Sequence, residues 1–116
     1  PLLAQEPTKP PVLHELAKQL SMEPIAATKL LNQLVGAGFL LKPVANRYFL
    51  PAGLERLREL VIETAHGSDA QGFGVADFRD SCGIGRNLCI EILEYFDRTG
   101  VTQRIGDRRK LRNPGI

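Results

Sequence analysis

The residues best suited to bind a ligand in this chain form a short glycine-containing stretch, Gly83-Ile84-Gly85-Arg86-Asn87. The stretch follows one predicted short helix and opens a second, and no side chain covers the first backbone N–H groups of that second helix. Such a helix start combines free donors with the positive end of the helix dipole, so it suits an anion such as phosphate. Gly83 and Gly85 let a ligand approach the backbone closely, although the two glycines could also serve only to shape the turn.

A basic hairpin is predicted beyond the second helix, with its bases five to eleven residues after the helix end at residue 99. The net charge of the whole chain is only +2, but residues 69–97 hold six acids and two arginines, whereas residues 98–116 hold six bases and one acid. Positive charge is thus concentrated at one end, as local binding of a polyanion requires. Helix, turn, helix and hairpin together indicate a winged helix that binds nucleic acid. The candidate binding residues of the hairpin are Arg104, Arg108, Arg109 and Lys110. On its own, a basic run of this kind is more often a solvated surface than a binding site.

An internal repeat predicts two copies of this fold. Three pairs of landmarks, Val12 with Val75, Gly38 with Gly100 and Pro51 with Pro114, are separated by a constant 62 or 63 residues. The predicted fold is mainly α (α+β), with two tandem winged-helix domains, each a helix-turn-helix with a β-wing, at residues 1–52 and 53–116. An amphipathic helix over residues 54–62 is taken as the first helix of the second domain. Its counterpart would be residues 1–6 and residues upstream, so we expect a fragment of a larger protein.

The local patterns predict the elements of each copy. In the first copy we expect a helix over residues 25–35 and two strands, 39–41 and 47–50, around a turn at residues 43–46. In the second copy the helix over residues 86–99 carries a buried stripe of Leu88, Cys89, Ile92, Leu93 and Phe96. Its solvent side is predicted to carry Arg86, Asn87, Glu91, Glu94, Asp97 and Arg98.

The acids on that solvent side argue against the usual docking on DNA, with this helix deep in the major groove. Glu91, Glu94 and Asp97 would repel the phosphate backbone there. Contact through the helix start and the wing is favoured instead. Such a contact suits a flipped base or a kinked phosphate in a structured RNA, where recognition goes through loops and bulges.

The two copies differ at the helix start, and this difference selects the second copy for binding. The first copy places Glu23 and Pro24 there, so that a carboxylate occupies the place of a phosphate, whereas the second places Gly85 and Arg86. The wings differ in the same direction, since the first copy offers only Lys42 and Arg47.

Catalysis and metal binding are not indicated. The chain shows no Ser/His/Asp, Cys/His or paired-carboxylate set, and Gly83–Arg86 lacks the Lys and Ser/Thr of a P-loop. His14 and His66 are isolated, and Cys82 and Cys89 lie seven residues apart, without the spacing of a zinc site or a disulfide framework. No apolar run is long enough to span a bilayer, and the first residues do not resemble a signal peptide. We therefore expect a cytoplasmic binding module that is not an enzyme by itself.

Several segments of the second copy resemble one protein family. Asp77-Phe78-Arg79-Asp80, Gly83-Ile84-Gly85-Arg86, residues 90–100 and Thr102-Gln103-Arg104 look like the last winged helix of the bacterial selenocysteine-specific elongation factors, SelB. The run Leu93-Glu94-Tyr95-Phe96-Asp97-Arg98 is the most specific part. The resemblance is dense over residues 74–104 and weaker over residues 10–73.

The resemblance implies that the chain holds the third and fourth of the family's four winged helices. The fourth would bind the messenger RNA hairpin (SECIS) that follows a UGA codon. The implied RNA-binding residues at the helix start are Arg79, Gly83, Gly85, Arg86 and Asn87, while Arg104 and the wing bases would hold phosphates. A basic residue often stands where this chain has Asn87, which leaves the number of phosphate contacts open.

The resemblance also implies the partners and cofactors. GTP, Mg²⁺ and selenocysteyl-tRNA would bind an N-terminal part outside these residues, so no cofactor is expected here. We expect a monomer without membrane contact, with the ribosome as a further candidate partner. Two other interpretations stay open: a winged-helix regulator that binds DNA, and a winged helix that docks on a protein.

Overall fold

The structure is a computed structural model that describes residues 2–113, and it divides into two compact units with the boundary between Glu55 and Arg56. It is a mainly helical α+β arrangement with two small antiparallel sheets, as predicted. The elements of the first unit are α1 (Leu2–Gln5), α2 (Leu13–Gln19), α3 (Pro24–Gly36), β1 (Leu41–Val44) and β2 (Arg47–Phe49). Helix α4 (Pro51–His66) contains the boundary, and the second unit continues with α5 (Val75–Cys82), α6 (Arg86–Thr99), β3 (Thr102–Ile105) and β4 (Arg108–Leu111).

The first unit packs α2, α3 and its hairpin around a small apolar core of Leu16, Leu31, Leu40 and Tyr48. Tyr48 is fully buried, and its hydroxyl donates a hydrogen bond of 2.6 Å to Oδ1 of Asn32 on α3. A buried phenol needs such a partner because an unpaired hydroxyl in the core is costly. The bond therefore fixes β2 against α3.

The first strand of this unit begins two residues later than the sequence predicts. It covers residues 41–44, so that Phe39 lies outside it and is 66% exposed, and Pro43 lies inside it. Proline has no N–H to donate to a neighbouring strand. In a two-stranded sheet each strand has one edge without a neighbour, so a proline is tolerated there. The prediction placed Pro43 in the turn because it did not allow for such an edge.

The second unit buries the stripe of α6 that the sequence predicts. Leu88, Cys89, Ile92, Leu93 and Phe96 are all at most 5% exposed. Aromatic rings from the segments before and within α5 complete the buried set, since Phe73 and Phe78 are fully buried. The 3.6-residue period of the pattern thus gave the correct face of this helix.

The hairpin of the second unit is fixed to α6 by a buried polar cluster. The Asp97 carboxylate accepts two hydrogen bonds of 3.1 and 3.2 Å from Arg109 Nε, one of 3.0 Å from its Nη2 and one of 2.6 Å from the Thr102 hydroxyl. Phe73 and Arg109 also exchange backbone hydrogen bonds of 2.8 and 2.9 Å, which adds the segment before α5 to the edge of β4. The prediction that Asp97 faces solvent is therefore wrong, because its carboxylate turns toward the hairpin and is 22% exposed.

One contact recurs in both units. Arg47 donates to the carbonyl of Pro10 at 2.5 Å, and Arg108 donates to the carbonyl of Gly72 at 2.6 Å. In each case a strand arginine binds the loop before the first helix of the helix-turn-helix. Gly72 also has to be glycine, because a Cβ there would lie 2.4 Å from the Arg109 carbonyl oxygen and its φ is +89°. The repeat is thus visible in side-chain contacts, although its last sequence landmark, Pro114, lies outside the described residues.

Candidate nucleic-acid interface

Helix α5 has its own N-terminus covered. The Asp77 carboxylate accepts a hydrogen bond of 2.8 Å from the backbone N–H of Gly74, the residue that caps the helix. An acid in the first turn also satisfies the positive end of the helix dipole. The start of α5 is therefore not available to an anion.

The turn after α5 redirects the chain into α6 within three residues. Gly83 ends α5 in the left-handed conformation, Ile84 is 3% exposed and fixes the turn on the core, and Gly85 precedes α6 with φ of 91° and ψ of 150°. That φ of Gly85 is one that residues with a Cβ rarely adopt. Gly83 has open space around it, since a Cβ added there would meet nothing within 4 Å.

The start of α6 is open, in contrast to that of α5. Gly85 offers no side-chain cap, and the first turn contains no acid. The first helical hydrogen bond runs from the Cys89 N–H to the Gly85 carbonyl, so the N–H groups of residues 86–88 precede the helical ladder. The side chains of Arg86 and Asn87 are exposed, and within residues 2–113 neither has a hydrogen bond or an ion pair. This corner thus combines an exposed guanidinium with backbone donors that have no partner in the described part of the chain.

Arg79 lies on the helix before this corner and is exposed. In the described part of the chain it makes no ion pair with the nearby acids Asp77, Asp80 and Glu94. The positive charge of its guanidinium lowers the pKa of the buried Cys89 thiol. Burial and the neighbouring Cys82 raise that pKa more strongly, so that it lies at about 12. Arg79 therefore adds positive potential close to the first turn of α6.

The four predicted wing bases do not share one surface. Antiparallel pairing sets Arg104 opposite Arg109 and Ile105 opposite Arg108, and neighbouring residues of a strand point to opposite faces. Arg104 is exposed near the hairpin tip, where its Nε donates a 2.8 Å hydrogen bond to the carbonyl of Gly106. Lys110 is exposed, without a side-chain hydrogen bond or ion pair among the described residues.

Arg108 and Arg109 hold the fold instead of projecting into solvent. Arg109 is 3% exposed and bound to Asp97, so the expectation of an exposed wing base at this position is wrong. Arg108 is half-buried and donates a hydrogen bond to the Gly72 carbonyl. It also lines a cleft with Asp77 and Asp80, whose negative charges are opposite in sign to its own. Strand alternation explains the placement of Arg109, which lies on the face opposite to that of Arg108 and Lys110, whereas Arg108 is held by the Gly72 carbonyl.

Asp97 and Thr102 are the residues that the prediction missed. They set the position of the wing, because the Asp97 carboxylate accepts hydrogen bonds from both the Thr102 hydroxyl and the Arg109 guanidinium. A signal was available, since Asp97 follows Leu93 by four residues and so lies at the edge of the buried stripe of α6.

The corresponding corner of the first unit is built differently. Glu23 caps α3 by backbone only, Pro24 opens the helix without an N–H, and Ser21 takes the left-handed conformation with φ of 56°. Its hairpin bases are engaged in the fold: Arg47 binds Pro10, and Lys42 lies 5.3 Å over the Tyr48 ring. This corner offers fewer donors and a carboxylate at the helix start.

Among the described residues, no group of three or more His, Cys, Asp or Glu side chains is placed to hold a metal ion. In the same part of the chain, each helix is too short or too polar to cross a bilayer.

Comparison with known proteins places this architecture. Residues 66–111 match the family model described as the winged helix of elongation factor SelB. The selenocysteine-specific elongation factor of Escherichia coli (strain K12) is 34% identical over 115 residues, which are 97% of this chain and 18% of that protein. The factor of Desulfomicrobium baculatum is 26% identical over 103 residues, 89% of this chain and 16% of that protein. The chain thus spans less than a fifth of the relatives it matches.

A solved structure gives the same result in three dimensions. The mRNA-binding domain of elongation factor SelB from E. coli, in complex with SECIS RNA, has a TM-score of 0.82 and 32% identity, covering 91% of this chain and 86% of that chain. Helix, glycine turn, helix and anchored β-hairpin define a winged-helix protein. Because the similarity extends over nearly all of both chains, this chain belongs to the SelB elongation factor family. The family predicted from the sequence is confirmed.

Proposed function

We propose that this chain binds a SECIS messenger RNA hairpin through the second unit, and that it does so as a non-catalytic part of a cytoplasmic selenocysteine-specific elongation factor. The observation that carries the proposal is the uncapped start of α6, where the N–H groups of residues 86–88 have no hydrogen-bond partner among the described residues and the Arg86 guanidinium is exposed. Support comes from the relative whose solved domain is described in complex with SECIS RNA.

The proposed contact surface follows from exposure and free donors. Arg86, Asn87 and the N–H groups beside them would bind a phosphate or a base of the loop, with Gly83 and Gly85 permitting close approach. Arg79, Arg104 and Lys110 would add phosphate contacts from the neighbouring helix and the hairpin. Arg109 is left out of this surface because it is buried against Asp97, and Arg108 contributes only through the position of the wing.

The charge of α6 favours RNA over duplex DNA. Glu91 and Glu94 are exposed and, within the described residues, have no cationic partner, so the middle of the helix repels a phosphate backbone. Binding then depends on the helix start, which suits a loop with splayed bases better than a regular groove. Any binding of GTP, Mg²⁺ and selenocysteyl-tRNA is assigned in this proposal to the rest of such a factor, since the chain spans only 18% of the E. coli relative.

A titration of the 116-residue chain with labelled hairpins tests the proposal. We expect tight binding to a SECIS hairpin, much weaker binding to a hairpin of equal length with a scrambled loop, and poor competition by duplex DNA at fixed salt. Log affinity should fall with log salt by about 0.7–0.9 for each phosphate contact. Preference for duplex DNA would favour the DNA-binding regulator, and binding to neither nucleic acid would favour the protein-docking module.

A further inference from the structure

The turn between α5 and α6, residues 83–85, is flanked by two free thiols that lie in contact. Cys82 is the last residue of α5 and Cys89 lies in the first turn of α6, and their Sγ atoms are 3.5 Å apart. The seven-residue spacing gave no hint of this, since the chain reverses at Gly83–Gly85 and brings the two sulfurs together. A disulfide needs a separation of about 2.05 Å, so the sulfurs would have to close by about 1.5 Å.

The two thiols differ in access. Cys89 is fully buried, whereas Cys82 is half-buried. Burial, followed by the hydrogen bond shared with Cys82, raises the pKa of the Cys89 thiol to about 12, so this thiol stays protonated at neutral pH. Because the thiolate is the nucleophile in thiol oxidation and Cys89 is buried and protonated, Cys82 is the sulfur that an oxidant reaches first. Oxidation of Cys82 removes the thiol partner and the charge that help to raise the pKa of Cys89, so Cys89 can then resolve the product.

We propose that Cys82 and Cys89 form a site of two-electron oxidation by a hydroperoxide, and that the disulfide produced weakens RNA binding at the adjacent corner. The first part rests on the sulfur geometry alone, while the second part rests on the function proposed above. The first unit has Leu20 and Ala27 at the corresponding positions, so the site is confined to the unit with the open helix start.

The chemistry takes two steps. The sulfur of Cys82 attacks the hydroperoxide, an S–O bond forms as the O–O bond breaks, and an alcohol, or water from hydrogen peroxide, leaves. The sulfur of Cys89 then attacks the Cys82 sulfenic acid, an S–S bond forms as the S–O bond breaks, and the Cys89 proton leaves with the oxygen as water. Two thiols are oxidised and one peroxide is reduced.

The disulfide would affect the start of α6 because it joins α5 to α6 across the turn that orients this helix start. Closing the sulfurs moves the end of α5 relative to the first turn of α6, and the backbone between them contains Gly83 and Gly85, the residues that set the approach to the free N–H groups. Displacement of a donor by about an ångström is enough to lose a charge-assisted hydrogen bond, so we expect about tenfold weaker binding.

Peptide mapping tests the oxidation site without reference to RNA. The 116-residue chain is treated with hydrogen peroxide, its remaining thiols are alkylated, and it is digested with trypsin, which cuts at Arg86 between the two cysteines. We expect peptides 80–86 and 87–98 to remain linked, lighter by two hydrogen atoms than their sum, and to separate with dithiothreitol. The Cys82→Ser variant should give no link. Sulfinic acid at Cys82 without a link, or links only between two molecules, would overturn the proposal.

Hairpin titration of the same samples tests the coupling. The linked protein should bind the SECIS hairpin about tenfold more weakly than the reduced protein, and peroxide should leave the affinity of Cys82→Ser unchanged. Equal affinities of linked and reduced protein would overturn the coupling. Failure of the reduced protein to bind any hairpin, with the link still forming, would instead contradict the proposed function.

Discussion

The two units solve the same structural problem with different chemistry. Each must hold a β-hairpin against the second helix of its helix-turn-helix. The first unit does so with the Tyr48 hydroxyl on Asn32, and the second does so with the Arg109 guanidinium on Asp97. A second contrast lies at the helix start, where Glu23 and Pro24 in one unit correspond to Gly85 and Arg86 in the other.

This comparison shows that basic residues in a wing are not equivalent. In the hairpin of the second unit Arg108 and Arg109 support the fold, whereas Arg104 and Lys110 are exposed, and the net positive charge of the segment does not distinguish the two kinds. Burial and hydrogen-bond partners make that distinction.

The largest effect is expected for Arg109→Ala. Removing one partner of a buried ion pair leaves Asp97 without its three guanidinium hydrogen bonds, so the free energy of unfolding should fall by about 3 kcal/mol. Urea unfolding measures this, and Arg104→Ala, on the same hairpin but exposed, is the control that should stay within about 0.5 kcal/mol. A variant with unchanged stability and weakened RNA binding would return Arg109 to the binding surface.

Arg86→Ala should weaken hairpin binding by about 1–3 kcal/mol, because it removes a charge-assisted contact beside the free N–H groups. Its side chain is exposed and makes no hydrogen bond or ion pair with the described part of the chain, so stability should be nearly unchanged. Fluorescence titration of a labelled hairpin is the measurement. Unchanged affinity would remove Arg86 from the site.

Asn87→Asp sharpens the comparison by separating stability from binding. A carboxylate in the first turn of α6 suits the helix dipole and should stabilise the fold by about 0.3–1 kcal/mol, yet it repels phosphate and should weaken hairpin binding about tenfold. The matched control is Ile25→Asp at the same position of α3, where the side chain is 86% exposed. If both variants lost affinity equally, the assignment of binding to the second unit would be wrong.

The smallest effect is expected for Lys42→Ala in the first hairpin. The ammonium lies 5.3 Å over the Tyr48 ring, so its loss should lower stability by about 0.5–1 kcal/mol. Hairpin affinity should change by less than about 0.5 kcal/mol, since this base belongs to the other unit. A loss comparable to that of Arg86→Ala in the same titration would show that the first unit contacts RNA.

Much of the fold could be predicted from the sequence because it follows local periodicity. The stripe of α6 and the glycine turn before it depend on residues within a few positions of one another, and the structure has them as predicted. The predicted position of β1 was two residues too early because Pro43 was assigned to the turn on propensity alone.

The wing was harder to predict because its side chains are sorted by tertiary contacts. Charge counting treats Arg108, Arg109 and Lys110 alike, whereas strand alternation and the Asp97 carboxylate give them three different environments. The contact between Cys82 and Cys89 was missed for a related reason, since it depends on how sharply the turn reverses the chain. Pairings across a turn need the angle between the helices, which a sequence pattern does not supply.

The burial of Arg109 separates two kinds of electrostatic interaction by their response to dissolved ions. Mobile ions screen charges in solvent and compete for RNA phosphates, but they have little access to a guanidinium that is 3% exposed. Raising the ionic strength should therefore dissociate RNA from the proposed contacts at Arg86 and Lys110. The ion pair between Arg109 and Asp97, which holds the wing on α6, should remain intact. A concentrated salt wash can then yield RNA-free protein that is still folded and ready to rebind after dialysis.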